Sequence, residues 1–162
     1  MPNAKQQFVQ RLHPLQGLIR RLCAAYFPYE EDRKDTFQDI LLQLWKSYHS
    51  FRGQSSFATW AYRVALNTIL DKVEQQRRMP VHALRPEDDW VAPGHSESVE
   101  LIHFALGRLT PPEKALVVLY LEGYSYQEIA ELSDLTLTNV STRLNRIRQK
   151  LKAILTRELS WN

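Results

Sequence analysis

Near one end of the chain, Asn139, Ser141, Thr142, Arg143 and Arg146 surround an apolar series, Val140, Leu144, Ile147 and Leu151, set at helical spacing. Buried apolar residues on one side leave the polar ones on the other. Asn, Ser and Thr can meet base edges, and Arg can meet guanine edges or phosphate oxygens. From 139 to 152 there are five basic residues (Arg143, Arg146, Arg148, Lys150, Lys152) and no acidic one. The alternative is a solvated basic face, which the negative end of a helix dipole favours in any case. Two further polar stripes stand out. Thr59, Arg63, Asn67 and Asp71 fall four apart and line up as a ladder on one helix. Asp35, Gln38, Asp39, Leu42 and Lys46 form a second face, on which Leu42 is the odd apolar member, either a plain helix former or part of a docking surface.

Other chemistries find no support. His13, His49, His82, His95 and His103 show no metal-ligand spacing, and the single Cys23 has no partner for a Cys pair. No Gly-rich phosphate loop and no G-x-S-x-G elbow occurs. Glu30, Glu31 and Asp32 read as a solvated acidic turn rather than a metal site. The expectation is a binding protein, not an enzyme, with no catalytic residue, no metal, no cofactor and no small-molecule substrate.

The elements that position these stripes are helical. No sustained period-two run and no Asn-Gly or Asp-Gly turn predicts a strand. The segment 8–26 predicts one helix, kinked or starting late because of Pro14. Phe37, Ile40, Leu41, Leu44, Trp45 and Tyr48 predict a helix over 35–48 with one buried stripe. After the loop 51–56, in which Gly53 is the flexible point, Ser55 or Ser56 can cap a helix running to about Arg78. Its core face is Phe57, Trp60, Ala61, Val64, Ala65, Thr68, Ile69 and Val73, and it ends in Lys72, Gln75, Gln76, Arg77 and Arg78. Pro80, Pro86, Pro93 and Gly94, with Glu87, Asp88 and Asp89, predict a linker. Beyond it, a helix spans about 99–108. Thr110-Pro111-Pro112-Glu113 predicts a capped helix start with a reciprocating Glu, and Gly123 its left-handed end. Ser125-Tyr126-Gln127-Glu128 predicts a second capping box. A turn near 133–135 then leads to a last helix from about Thr138. Segment 125–152 therefore reads as a helix-turn-helix.

Bulk properties agree. The chain has 162 residues, 44% hydrophobic and 24% charged, an ordinary globular balance sufficient for one medium or two small cores. Residues 1–80 carry 12 Lys/Arg and 7 Asp/Glu, 81–97 carry 1 and 4, and 98–162 carry 8 and 7. Two positive modules around an acidic connector suit an anionic polymer as partner. Arg11, Arg20 and Arg21 interrupt the first apolar stretch, which fits neither a signal peptide nor a membrane span. With one cysteine and no direct membrane insertion, the expected location is cytoplasmic. Cys23 itself reads as a small buried hydrophobe.

The string DTFQDILLQLWKSYHSFRGQSSFATWAYRVALNTILDKVEQQRR at 35–78 resembles region two of the extracytoplasmic-function group of sigma-70 factors. The string LTPPEKALVVLYLEGYSYQEIAELSDLTLTNVSTRLNRIRQKLK at 109–152 resembles that family's region four. The resemblance implies an all-α protein of two small helical domains, 1–80 and 98–162, joined by a flexible acidic linker, 81–97. It implies a factor that binds core RNA polymerase and directs promoter-specific initiation. Asp35, Gln38, Asp39 and Leu42 would dock on the clamp helices of the largest subunit, with Trp45 helping to fix the helix. Phe51, Ser55, Ser56, Phe57 and Trp60 would hold a flipped base of the minus-ten element, with Arg63, Asn67, Arg77 and Arg78 also on promoter DNA. Phe57 and Trp60 can equally be ordinary core. Asn139, Ser141, Thr142, Arg143 and Arg146 would read the minus-thirty-five element. The linker would thread a basic channel of the polymerase or serve as a solvated tether, and an anti-sigma factor is a further partner common in the family. Two departures concern readout: Asp134 stands in the turn where many relatives have Gly, and Asn139 and Ser141 stand where many have Thr and Lys. The competing readings are a stand-alone helix-turn-helix regulator and a decoy that binds polymerase but no promoter. The 35–78 block speaks against the regulator.

Overall fold

The computed structural model describes residues 1–79 and 97–160. All regular structure among them is helical, with no strand. The chain divides into two compact units, Met1–Pro86 and Glu87–Asn162. The expected linker, apart from Glu97, lies outside the described residues.

In the first unit, α1 (Ala4–Leu12) opens on a capping box between Asn3 and Gln6. The single helix expected over 8–26 is broken: His13–Leu15 tightens into a 3-10 turn, and α2 (Gln16–Tyr26) follows. Pro14 is the cause, because it offers no N–H and its ring crowds the preceding turn. Next, α3 (Glu30–Ser47) begins five residues before the expected start at Asp35. Glu30, Glu31 and Asp32 are its first turn, where carboxylates face the positive end of the helix dipole, so the cluster read as a solvated turn is a helix start. Arg33 Nε donates to the Phe27 carbonyl (2.6 Å), fixing the entry. A short 3-10 turn (Tyr48–Ser50) leads into the loop before α4 (Phe57–Arg78).

The core of this unit is made by α2, α3 and α4, with Ile19, Leu22, Ile40, Leu44, Ala61, Ala65 and Ile69 all buried. Burying one Leu or Ile side chain stabilises by about 1.5–3 kcal/mol. The small Ala61 and Ala65, one turn apart, present a flat α4 face to its neighbours. Cys23 is buried as expected, and desolvation pushes its thiol up to about 11.

The second unit comprises α5 (Glu97–Gly107), α6 (Pro111–Leu121), α7 (Tyr126–Ser133) and α8 (Leu137–Ser160). Leu116, Leu119, Ile129, Leu132, Val140, Leu144 and Ile147 form its core. Gly123, at φ +89°, ends α6 in the left-handed region that a Cβ disfavours. Thr110 caps α6 by accepting from the Glu113 N–H (3.4 Å), but the expected reciprocal bond from the Glu113 side chain does not form.

Candidate nucleic-acid and docking surfaces

The helix-turn-helix is built locally from caps. Ser125 Oγ accepts from the Glu128 N–H, and Glu128 Oε1 accepts from the Ser125 N–H, both at 3.1 Å. The Ser125 backbone N–H foremost, and then the Ser125 side chain, hold the Glu128 carboxyl below the ordinary glutamate range. The eight-residue α7 ends at Asp134, which takes φ 56°, ψ 43°. That left-handed residue turns the chain so that the Leu135 N–H reaches the Ala130 carbonyl (3.0 Å). Thr136 Oγ1 then accepts from the Asn139 N–H (3.1 Å) and starts α8. With both ends fixed, α7 packs across α8, and Val140, Leu144 and Ile147 face inward.

The five expected readout residues, Asn139, Ser141, Thr142, Arg143 and Arg146, are all exposed on α8. Further along, the basic residues are less uniform than their sequence suggests. The Arg148 guanidinium lies over the Tyr120 ring, 4.7 Å from its centroid. Lys150 Nζ lies 3.2 and 3.4 Å from the two Glu113 carboxylate oxygens. Glu113, assigned from sequence to a capping box, is thus a partner of the last helix. The 37-residue separation hides this from any local pattern.

In the first unit, an aromatic cluster joins α1, α3, the 51–56 loop and α4. Phe51 lies 5.2 Å from Trp60 and 5.7 Å from Phe57, and Phe57 lies 5.5 Å from Trp60. Phe8 packs on Trp45 and Tyr48 at 5.2 Å each. Phe51, Phe57 and Trp60 are brought together, half-buried, so they are part of the packing as well as of a surface. A groove of about 510 Å³ opens beside them, lined by Arg11, Trp45, Tyr48, His49 and Phe51 among others. Ser55 is half-buried. The Ser56 hydroxyl is committed to the α4 cap, accepting from the Thr59 N–H (3.1 Å) and donating to Thr59 Oγ1 (2.9 Å).

Thr59 is buried and leaves the expected polar ladder, which reduces to Arg63, Asn67 and Asp71, all exposed on α4. Arg77 and Arg78 at the end of α4 share Glu74, at 3.8 and 3.1 Å. On α3, Asp35, Gln38 and Asp39 are exposed, and Leu42 is 52% exposed among them. Asp39 is tied to Lys72 of α4 at 3.5 Å. Trp45, expected within the buried stripe, is 43% exposed and covers Phe8 from outside. Among the described residues, no three His, Cys, Asp or Glu side chains cluster to hold a metal ion.

Comparison with known proteins adds to this geometry. Residues 12–79 match the sigma-70 region 2 model and residues 100–151 the sigma-70 region 4 model. The chain is 32% identical over 156 residues to the ECF RNA polymerase sigma-E factor of Haemophilus influenzae, covering 84% of this chain and 78% of that one. It is 30% identical over 154 residues to the ECF RNA polymerase sigma factor SigG of Mycobacterium tuberculosis, covering 76% of this chain but only 42% of SigG. Among solved structures, CnrH in complex with the cytosolic domain of CnrY superposes with a TM-score of 0.71 at 22% identity, covering 96% of this chain and 91% of CnrH. The sigma factor RpoE of Bartonella quintana, in complex with the anti-sigma factor NepR, gives 0.68 at 19% identity, covering 93% and 97%. At these identities the two structures establish the fold.

Proposed function

The chain belongs to the extracytoplasmic-function RNA polymerase sigma factors of the sigma-70 family, and on that premise we propose that it binds core RNA polymerase and directs initiation at a subset of promoters. In this reading, residues 1–80 are region two, 81–97 a tether and 98–162 region four. The observation that carries it is the exposed stripe of Asn139, Ser141, Thr142, Arg143 and Arg146, set on a helix whose other side is buried beneath a short capped helix. A face of this composition fits the major groove, the early residues at base edges and the arginines at guanines or phosphates.

The aromatic corner around Phe51, Ser55, Phe57 and Trp60 supplies stacking surfaces for an unpaired minus-ten base, and Arg63 and Asn67 extend that surface along α4. Arg77 and Arg78 end the same helix and are assigned to promoter DNA with them. Ser56 acts here by starting α4, not by offering its hydroxyl. Asp35, Gln38, Asp39 and Leu42 form an acidic face with one apolar contact, suited to a basic helical partner such as the polymerase clamp. The chain works by binding: catalysis stays in the polymerase, and trapping a base offsets part of the melting cost. It acts in the cytoplasm, and an anti-sigma factor is a partner of the kind bound to RpoE of Bartonella quintana in its solved structure.

The test is transcription from a cognate promoter by purified core polymerase, with and without the chain. Promoter-specific transcript only when the chain is present is the expected result. Sequence-specific duplex binding with no core association would instead make it a stand-alone regulator. Core binding without initiation would make it a decoy.

A further inference from the structure

We propose that Glu113 limits the sequence-independent DNA affinity of the C-terminal unit by neutralising one cation of its recognition face. The proposal rests on the reading that α8 meets duplex DNA. Arg143, Arg146 and Lys150 are spaced three and four apart, so they form one stripe continuing the readout surface along α8. All three line one cleft of about 420 Å³, and the acid in that cleft is Glu113, from the first turn of α6. Its carboxylate takes Lys150 at 3.2 and 3.4 Å.

The pair is not a staple of the fold. The Lys150 and Glu113 side chains are 42% and 27% exposed, and ion pairs so open to water contribute little to stability. Nor does the α6 cap need the carboxylate, since Thr110 Oγ1 accepts from the Glu113 backbone N–H. What the carboxylate does is electrostatic: it offers Lys150 a fixed anion in place of a DNA phosphate. A phosphate contact carries no sequence information, and each one steepens the fall of log K with log salt by about 0.9. With Lys150 engaged by Glu113, the stripe presents Arg143 and Arg146 to the duplex. A factor so built spends less of its time on bulk DNA, while base readout by the earlier residues is untouched.

The experiment measures binding of the full chain to promoter and random duplexes across a salt series, for the wild type, Glu113→Gln, Lys150→Gln and the double variant. Glu113→Gln is expected to raise affinity for both duplexes and steepen the salt slope by about 0.9, so that between 50 and 200 mM salt it loses about 3.5-fold more affinity than the wild type. The promoter-to-random ratio should stay within about twofold, because the gain is sequence-independent. In the Lys150→Gln background the same substitution should leave the slope unchanged. Weaker or equal binding by Glu113→Gln, or the same steepening without Lys150, overturns the proposal. A wild-type chain with no salt-dependent duplex binding would instead sink the recognition-helix reading on which it rests.

Discussion

Asp134 is the non-glycine residue with positive φ among the described residues, and it sits in the turn that sets the angle between α7 and α8. At φ 56°, ψ 43° an L-residue costs roughly 1–2 kcal/mol relative to its preferred conformations, with Asp and Asn at the lower end. Replacing it by Gly removes that cost but adds back about 0.4–1 kcal/mol through the freer unfolded chain. The net expectation for Asp134→Gly is therefore a gain of about 0–0.6 kcal/mol. Asp134→Ala, which keeps the Cβ and loses the polar group that eases the left-handed region, should cost about 0.5–1 kcal/mol, and Asp134→Val more. Native-state hydrogen exchange is the suitable assay, because the Leu135 N–H bonds across this turn to Ala130 and reports its opening directly. The order of protection should be Gly, Asp, Ala, Val. If Ala protects the turn as well as Gly, backbone strain is not what decides this position.

The two surfaces should separate in mutagenesis. Arg143→Ala and Arg146→Ala should each weaken promoter-duplex binding by about 1–3 kcal/mol where a base contact is lost, and leave core binding intact. Asp39→Arg should do the reverse in a core-binding titration, and both sets failing in the same assay would refute the division of labour. Cys23, its thiol pushed up to about 11 by burial, should alkylate at pH 8.5 at least about 100-fold more slowly in the folded chain than in denaturant. Because the folded state holds that proton, the associated stability is full below the unfolded thiol value near pH 8.5 and is lost as pH rises toward about 11. Glu128 has the opposite sign: its lowered carboxyl favours folding above about pH 4.3, and that contribution disappears as pH falls through the lowered value. In acid melts of the C-terminal unit, Glu128→Gln should therefore show a flatter profile than the wild type.

Much of this architecture is legible because caps and stripes are local. Ser125 with Glu128, Thr110 before Pro111, and Gly123 mark helix ends within a few residues, and the structure places all of them there. The series Phe37, Ile40, Leu44 is buried as its spacing requires, and the α8 readout stripe is exposed. What escaped depends on partners distant in sequence or on missing signals. The start of α3 has no side-chain cap at Tyr29, so only its acidic first turn could have revealed it. Thr59 sits at ladder spacing, yet it is buried and its hydroxyl accepts from Ser56, while Tyr62 is buried outside both predicted stripes. Glu113 and Asp39 each pair with a lysine more than thirty residues away, which periodicity on a single helix cannot reveal.

The aromatic corner has a consequence for how such a protein can change over generations. Phe51, Phe57 and Trp60 touch one another and, through Tyr48, Phe8 and Trp45, brace three helices. Altering a ring there to suit a new base also loosens the domain, so innovation at this end is taxed by folding. Asn139, Ser141, Thr142, Arg143 and Arg146 are exposed on α8 and stand outside that aromatic packing, so they can drift one at a time. Under the proposed division of roles, new promoter preferences should therefore arise first on α8, with the aromatic corner following slowly.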